Sequence, residues 1–200
     1  DNQPLLDLYY VYGFLLLEDK QYEKAEEYLK KAIKINPVSS RIILELTEIY
    51  KMHTYTFNEY VLRTSDALKY AYYPQDIARC YRNLGYYYVE ENDMKTALAL
   101  YIFSMEFEAS PLAYAEIKFI QSKNDNIELS LKECIDIIAG KNIQLGAHPF
   151  ILDALNELIE EYDKNKLYNQ LLYFLELKFD LDNDSQTLER INETRKKLEN

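Results

Sequence analysis

The chain has 200 residues, of which 48% are hydrophobic, and it contains only four glycines and five prolines. This composition supports a sizeable core and favours helices over strands joined by tight turns. With 34 acidic and 23 basic residues the net charge is −11. We therefore expect no binding to nucleic acid or to anionic membranes, because their phosphate groups are repelled by such a surface.

Residues 6–37 predict two amphipathic helices that fold back on each other. In the first, apolar residues and one glycine recur at spacings of three and four, which marks one helical face: Leu6, Tyr9, Tyr12, Gly13 and Leu16. In the second, large and small residues share the inner face and a proline ends the helix: Tyr22, Ala25, Leu29, Ala32 and Pro37. A glycine inside a helix costs about 1 kcal/mol, so Gly13 predicts the close approach of another backbone.

The same template returns twice along the chain. Its first-helix positions recur in a unit over residues 40–74, where Thr47 occupies the glycine position. A cleaner copy over residues 78–111 repeats the spacing at Tyr81, Leu84, Gly85 and Tyr88. The second unit is about four residues longer than the others, and we predict its turn over residues 53–58. Residues 1–110 are therefore expected to form three antiparallel helix pairs.

This pattern resembles the tetratricopeptide repeat, a 34-residue helix–turn–helix unit with a glycine in its first helix, alanines in its second and a closing proline. The resemblance is clear at residues 6–37 and 78–111 and degenerate at 40–74. It implies a right-handed α–α superhelix, a solenoid in which the first helix of each unit lines a concave groove. It also implies a non-enzymatic protein–protein interaction module that binds a peptide or a partner domain in this groove.

The second half of the chain keeps the helical rhythm but loses the motif. Two degenerate helix pairs are predicted to continue the solenoid over residues 111–182, with helices at 111–121, 127–138, 149–163 and 166–180. We expect the turn Asn124–Asp125–Asn126 to precede the second of these helices and a left-handed cap at Gly140 to end it. A linker follows at residues 141–147. The polar stretch 183–200 predicts a capping helix, because the last unit of a solenoid needs one polar face exposed to solvent.

In each of the first three units, one face of the first helix should point into the groove. Its residues follow spacings of three, four and three, so each set lies on a single helical face. The predicted groove residues are Asp7, Tyr10, Phe14 and Leu17 in the first unit, Arg41, Leu44, Glu48 and Lys51 in the second, and Arg79, Arg82, Tyr86 and Val89 in the third, with Asn83 beside them.

These residues make one end of the groove aromatic, at Tyr10 and Phe14, and the other end basic, at Arg41, Arg79 and Arg82. Aromatic and arginine side chains dominate the binding energy of interfaces. We therefore predict a peptide or protein ligand with apolar side chains at the aromatic end and a carboxylate at the arginines. The alternative is that the tyrosines pack between helices and the arginines pair with acids of the chain.

No residue pattern predicts a cofactor, a metal site or a catalytic centre. His53 and His148 have no cysteine, histidine or carboxylate at metal-ligand spacing, and no phosphate-binding or nucleophile motif occurs. An enzyme that uses His148 with the acids between Asp153 and Glu161 is an alternative, and it requires hydrogen-bond reach between them. A solvated acidic face is the simpler explanation of these acids.

Two further expectations concern the partner and the compartment. Chaperone-binding members of the family hold a terminal carboxylate with a lysine and an asparagine, and Tyr10 and Phe14 at those sites predict no such binding. A peptide-sensing domain of a larger bacterial regulator is a second alternative.

Cys80 and Cys134 form no disulfide motif, and no signal peptide or membrane-spanning run is visible. We therefore expect a cytoplasmic location, although a chain that begins at Asp1 also fits a fragment or a mature form.

Overall fold

The computed structural model describes residues 2–54, 56–124 and 126–199. These residues form eleven α-helices and no strand, which confirms the prediction of an all-α protein. The helices are α1 (Gln3–Glu18), α2 (Tyr22–Ile35), α3 (Ser40–Ile49), α4 (Phe57–Tyr70), α5 (Pro74–Glu90), α6 (Met94–Ser104), α7 (Pro111–Lys123), α8 (Leu131–Gly140), α9 (Pro149–Lys164), α10 (Tyr168–Asp182) and α11 (Ser185–Glu199). The first six pack as three pairs, α1 on α2, α3 on α4 and α5 on α6, and each pair contacts the next, as in a solenoid.

The two glycines of the motif allow the helices of a pair to pack closely. A β-carbon on Gly13 would lie 2.9 Å from Leu29 Cγ and 3.2 Å from the Leu29 backbone nitrogen, so the predicted close approach is confirmed. On Gly85 it would lie 2.9 Å from the ring of Tyr101. Ala25, on the second helix of the first pair, is fully buried. Close-packed interiors do not absorb extra atoms without strain, so small side chains are required here.

One turn geometry joins α1 to α2, α5 to α6 and α9 to α10. A residue in the left-handed region follows the first helix of each pair, namely Lys20 (φ 59°), Asn92 (φ 59°) and Lys166 (φ 56°). The next amide then donates to a carbonyl of the preceding helix, in the pairs Gln21–Leu16 (2.8 Å), Asp93–Tyr88 (2.9 Å) and Leu167–Tyr162 (3.0 Å). This bond satisfies a carbonyl that the end of a helix leaves open. The α9/α10 pair therefore turns as the two clear repeats do.

The α9/α10 pair departs from the repeat in the size of its contact residues. When the two turns are aligned, Ile159 occupies the position of Gly13, and Leu171 occupies the position of Ala25. Both larger side chains are buried. Because larger side chains hold two helix axes further apart, this pair shares the turn of the repeat without its glycine contact.

The end of the first helix in the second unit differs from the prediction. The turn that we predicted to begin at residue 53 is not formed there, because α3 passes directly into a π-helical turn, Tyr50–Thr54. Such a turn accommodates additional residues within a helix and often occurs near functional sites. Tyr55, in the middle of the predicted turn, lies outside the described residues.

The boundaries predicted for α8 are wrong at both ends. The helix begins at Leu131 because Ser130 and Glu133 form a capping box, in which each side chain accepts a hydrogen bond from the other residue's backbone amide. Gly140 is the last helical residue, and the left-handed residue after the helix is Asn142, with a φ of 56°. The predicted turn before α8 includes Asp125, which lies outside the described residues.

The linker at residues 141–147 is held against the third helix pair. The Tyr81 hydroxyl donates to the carbonyl of Gln144 (2.8 Å) and accepts from the amide of Gly146 (2.7 Å). The Gln144 side chain donates to the carbonyl of Leu68 at 3.1 Å. One cluster of buried apolar side chains also includes residues from before and after this linker. The second half of the chain therefore shares a core with the repeats.

The last helix, α11, packs on α10. Ile191 and Thr194 are buried on its inner face, while most of its other residues are exposed. The Lys178 ammonium, beneath it, donates to Asp182 (2.6 Å) and to the Thr187 hydroxyl (3.1 Å). The bond to Thr187 links α10 to α11, whereas Asp182 lies on α10 itself.

Candidate binding groove

The N-terminal parts of α1 and α3 enclose a cleft of about 270 Å³. Asp7 and Tyr10 reach it from α1, and Arg41 reaches it from α3. Asp7 and Arg41 are exposed, whereas Tyr10 is half-buried. Burial, and the negative charge of the nearby Glu45, raise the pKa of the Tyr10 hydroxyl. This hydroxyl is therefore protonated near neutral pH and can donate a hydrogen bond to a ligand.

A second cleft, of about 450 Å³, lies further along the same helices. It is lined by Phe14 and Leu17 from α1, by Glu48 from α3 and by Arg79 from α5. The rings of Tyr10 and Phe14 lie 6.4 Å apart between centroids, so the two clefts are joined by one aromatic pair. We call the two clefts together the groove.

Met52 also lines the second cleft, although we did not predict it. It belongs to the π-helical turn after α3, where the helical spacing used for the prediction no longer applies. The one signal in the sequence for this change of helical spacing after α3 was the extra length of the second unit.

Arg79 is occupied by acids of the neighbouring helix. Its Nη1 atom lies 2.8 Å from Glu45 Oε1 and its Nη2 atom lies 3.2 Å from Glu45 Oε2, a two-pronged pair. Glu48 lies 3.7 Å away as a second partner. Burial alone would lower the pKa of the guanidinium, but the hydrogen bonds and the charge of Glu45 outweigh it and leave the pKa raised. Arg79 is therefore held in its charged form by the fold itself.

Arg82 is also paired within the chain. Its Nη2 atom lies 3.0 Å from Glu108 Oε2, in the segment that precedes α7. Its Nη1 atom is buried and has no hydrogen-bond partner among the described residues. Of the three arginines predicted to form a basic end, Arg41 alone is exposed, with its guanidinium carbon 5.7 Å from the centroid of the Tyr73 ring. The alternative, that arginines pair with local acids, thus describes Arg79 and Arg82.

The remaining predicted residues lie outside the two clefts. Leu44 is fully buried and belongs to the core, and Val89 packs with the apolar residues between α6 and α7. Asn83 is buried, and its side-chain amide donates to the Thr47 hydroxyl at 3.2 Å. Lys51 lies 4.2 Å from the ring centroid of Tyr86 in a cation–π contact. The structure therefore brings together Asp7, Tyr10, Phe14, Leu17, Arg41, Glu48 and Arg79 from the predicted set.

The histidines and the acidic helix face have structural contacts. The Nδ1 atom of His148 accepts from the backbone amide of Phe150 at 3.3 Å and so caps the start of α9. Glu160 and Asp163 both pair with Arg190 of α11, at 2.6 and 3.1 Å. His53 stacks on Tyr22, with 5.2 Å between ring centroids.

The described part of the chain contains neither a metal-binding cluster nor a membrane-spanning helix. No group of three or more histidine, cysteine or carboxylate side chains is placed there to hold a metal ion. No helix in the same residues has both the length and the apolar character needed to cross a membrane.

Comparison with known proteins identifies one repeat. The family model described as tetratricopeptide repeat matches residues 6–39. A solved structure from a functional characterization of Pseudomonas aeruginosa pilF aligns with 96% of this chain and 98% of its own, at 15% identity and a TM-score of 0.43. No curated protein sequence matches the chain.

Proposed function

The chain carries a tetratricopeptide repeat at residues 6–39, and from this premise we propose that it is a non-enzymatic interaction module whose groove binds a peptide segment of a partner protein. Solenoids of helix pairs present extended concave surfaces of the kind that bind other proteins. The observation that carries the proposal is the pair of clefts between α1 and α3, joined by the rings of Tyr10 and Phe14.

The aromatic pair would supply the anchoring contacts. Both rings are only half-buried in the free protein, so a ligand can cover the rest of their area. Covering such area is favourable at roughly 25 cal/mol per Å². Tyr10 adds a hydroxyl that can hydrogen-bond a backbone carbonyl of the ligand. A peptide with one apolar side chain in each cleft fits this arrangement.

The charge preference of the groove rests on Arg41. Arg79 already has Glu45 and Glu48 as partners, and Arg82 has Glu108. Arg41, at the open edge of the first cleft, is the arginine positioned to meet a carboxylate of the ligand. Asp7, in the same cleft, would favour a nearby lysine or an amide on the ligand. We therefore expect a ligand with apolar anchors and an acidic residue near one end.

Selection of a displayed library of random peptides on the native protein tests this proposal. Peptides enriched on the native protein should bind the double variant Tyr10→Ala/Phe14→Ala at least about tenfold more weakly, because aromatic anchors account for most of the binding energy in such interfaces. Arg41→Ala should reduce binding of the peptides that carry an acidic residue and leave the others unchanged.

The matched control is the double variant Leu8→Ala/Leu15→Ala. These two leucines are also on α1 and are more exposed than the aromatic pair, but they line neither cleft. The control should bind the enriched peptides as the native protein does. The proposal is wrong if no peptide is enriched, or if the control loses as much affinity as the aromatic variant.

A further inference from the structure

A separate cleft lies between the turn that joins α4 to α5 and the helices α9 and α10. Its volume is about 400 Å³, and most of its lining is apolar. We call it the aromatic cleft, because four of its lining residues are aromatic. The six lining residues used below are Tyr72, Tyr73, Ile151, Leu158, Tyr173 and Phe174. None of them lines the groove between α1 and α3.

The aromatic cleft is open to solvent and its walls are tied together. Tyr72 is 40% exposed and Tyr173 is 49% exposed. The hydroxyls of Tyr73 and Tyr173 are 3.1 Å apart, and this hydrogen bond connects the two sides of the cleft. Exposed apolar surface that is concave and held in shape is typical of interaction sites.

Acidic side chains flank the aromatic cleft on both helices. Glu157 and Glu161 are exposed and lie one turn apart on α9, beside the wall that Ala154 contributes. Asp180 is exposed on α10, seven residues and so about two turns after Tyr173 on the same face. Among the described residues these three carboxylates form no ion pair. On the side of α9 and α10 the rim is therefore negative, whereas on the side of Tyr73 the cation Arg41 lies 5.7 Å from the centroid of the Tyr73 ring.

We propose that the aromatic cleft is the docking site for a positively charged amphipathic helix of a partner protein. Apolar residues of that helix would enter the cleft, whose volume takes a few side chains rather than a whole helix. Lysine or arginine residues one turn apart would meet Glu157 and Glu161, since four residues of helix rise about 6 Å. The net charge of −11 would speed the approach of such a partner and repel acidic ones.

A designed probe tests this proposal without knowledge of the natural partner. The probe is a fluorescein-labelled peptide of leucine and lysine, about 18 residues long, with its leucines at helical spacing. A matched peptide carries glutamate in place of every lysine. Fluorescence polarisation should show binding of the lysine peptide only, and this binding should weaken as salt is added.

Variants of the cleft localise the binding. Tyr173→Ala should weaken binding of the lysine peptide at least about fivefold, whereas Tyr173→Phe keeps the ring and should bind within about twofold of the native protein. The double variant Glu157→Gln/Glu161→Gln should weaken binding by roughly fivefold, the effect of two exposed charge pairs. Circular dichroism melts confirm that each variant is folded.

The control for charge is Glu189→Gln/Glu193→Gln on α11, which removes the same charge at the same spacing from an exposed face elsewhere. Equal weakening by this control would overturn the proposal, because the attraction would then belong to net charge alone. Unchanged binding by Tyr173→Ala would overturn it as well. So would native protein that sediments as a dimer and becomes monomeric with Tyr173→Ala, since a second copy would then cover the cleft.

Discussion

The pair between Arg79 and Glu45 provides the sharpest test of how the repeats are held together. The two residues are one repeat length apart, on α5 and α3, and they share two hydrogen bonds. The Glu45 side chain is 7% exposed and the Arg79 side chain is 28% exposed. Arg79 has Glu48 as a second partner, but Arg79 is the one cation paired with Glu45 among the described residues. The two halves of the pair are therefore not equivalent.

Removing either partner should cost stability, and removing the arginine should cost more. Breaking a fully buried pair costs about 3–5 kcal/mol, because it leaves a charge unpaired away from water. Arg79→Ala leaves Glu45 buried without its partner, so we expect a loss near the low end, about 3 kcal/mol. Glu45→Ala leaves Arg79 partly solvated and close to Glu48, so we expect about 2 kcal/mol.

Replacing both partners separates pairing from packing. The double variant Glu45→Leu/Arg79→Met removes both charges while it fills similar volume, and such replacements are often neutral, so we expect a change within about 1 kcal/mol. Urea denaturation followed by circular dichroism measures the free energy of unfolding of all four proteins. In a thermal scan, a loss of about 3 kcal/mol should lower the midpoint by roughly 6–12 °C.

Two results would refute this account. One is a loss below about 1 kcal/mol for Arg79→Ala, which is the range of exposed surface pairs. The other is a double variant as unstable as Arg79→Ala. The loss of stability would then come from packing and not from a buried charge left without its partner.

Three further predictions concern a glycine contact, the linker and a buried thiol. Gly13→Ala should lower the free energy of unfolding by about 1 kcal/mol, because overpacking outweighs the gain in helix propensity. The control Gly140→Ala, with no atom within 4 Å of the added carbon, should not lower it. Equal effects of the two variants in urea denaturation would contradict the close approach at Gly13. Tyr81→Phe should accelerate hydrogen exchange at the Gly146 amide, which loses its acceptor; unchanged exchange would mean that another group holds the linker. Burial raises the pKa of the Cys134 thiol from its ordinary value of 9.0 to about 11. The thiol pKa is higher in the folded than in the unfolded chain, so its contribution to stability is complete below about pH 9 and is lost as pH rises towards 11. Urea denaturation at pH 8 and pH 10.5 should therefore show a smaller drop in the free energy of unfolding for Cys134→Ala than for the native protein.

The repeat architecture was predictable because its determinants are local in the sequence. Gly13 and Gly85 mark where two helices touch, and a β-carbon at either position would lie 2.9 Å from the facing side chain, which leaves little room for another residue. Helical faces follow from spacings of three and four, which need no knowledge of the rest of the fold. For the same reason Tyr10 and Phe14 were correctly placed on one face of α1.

The state of the charged residues was not predictable in the same way. Periodicity places Arg79 and Arg82 on a face of α5, but it does not say whether acids of other segments reach them. Glu45 lies 34 residues before Arg79, so the repeat length could have indicated that pair. Glu108 reaches Arg82 from an irregular segment before α7, where no periodicity applies.

The sequence by itself thus determined the helix pairs, their glycine contacts and the aromatic face of the first helix, because each of these depends on residues within about one repeat. The tertiary structure decided that Arg41 stays exposed while Arg79 and Arg82 pair with acids, that the linker is bound by Tyr81, and that α9 and α10 form an aromatic cleft with the turn before α5. These features join segments that lie far apart along the chain, and contacts of that range depend on how the pairs stack rather than on any local pattern.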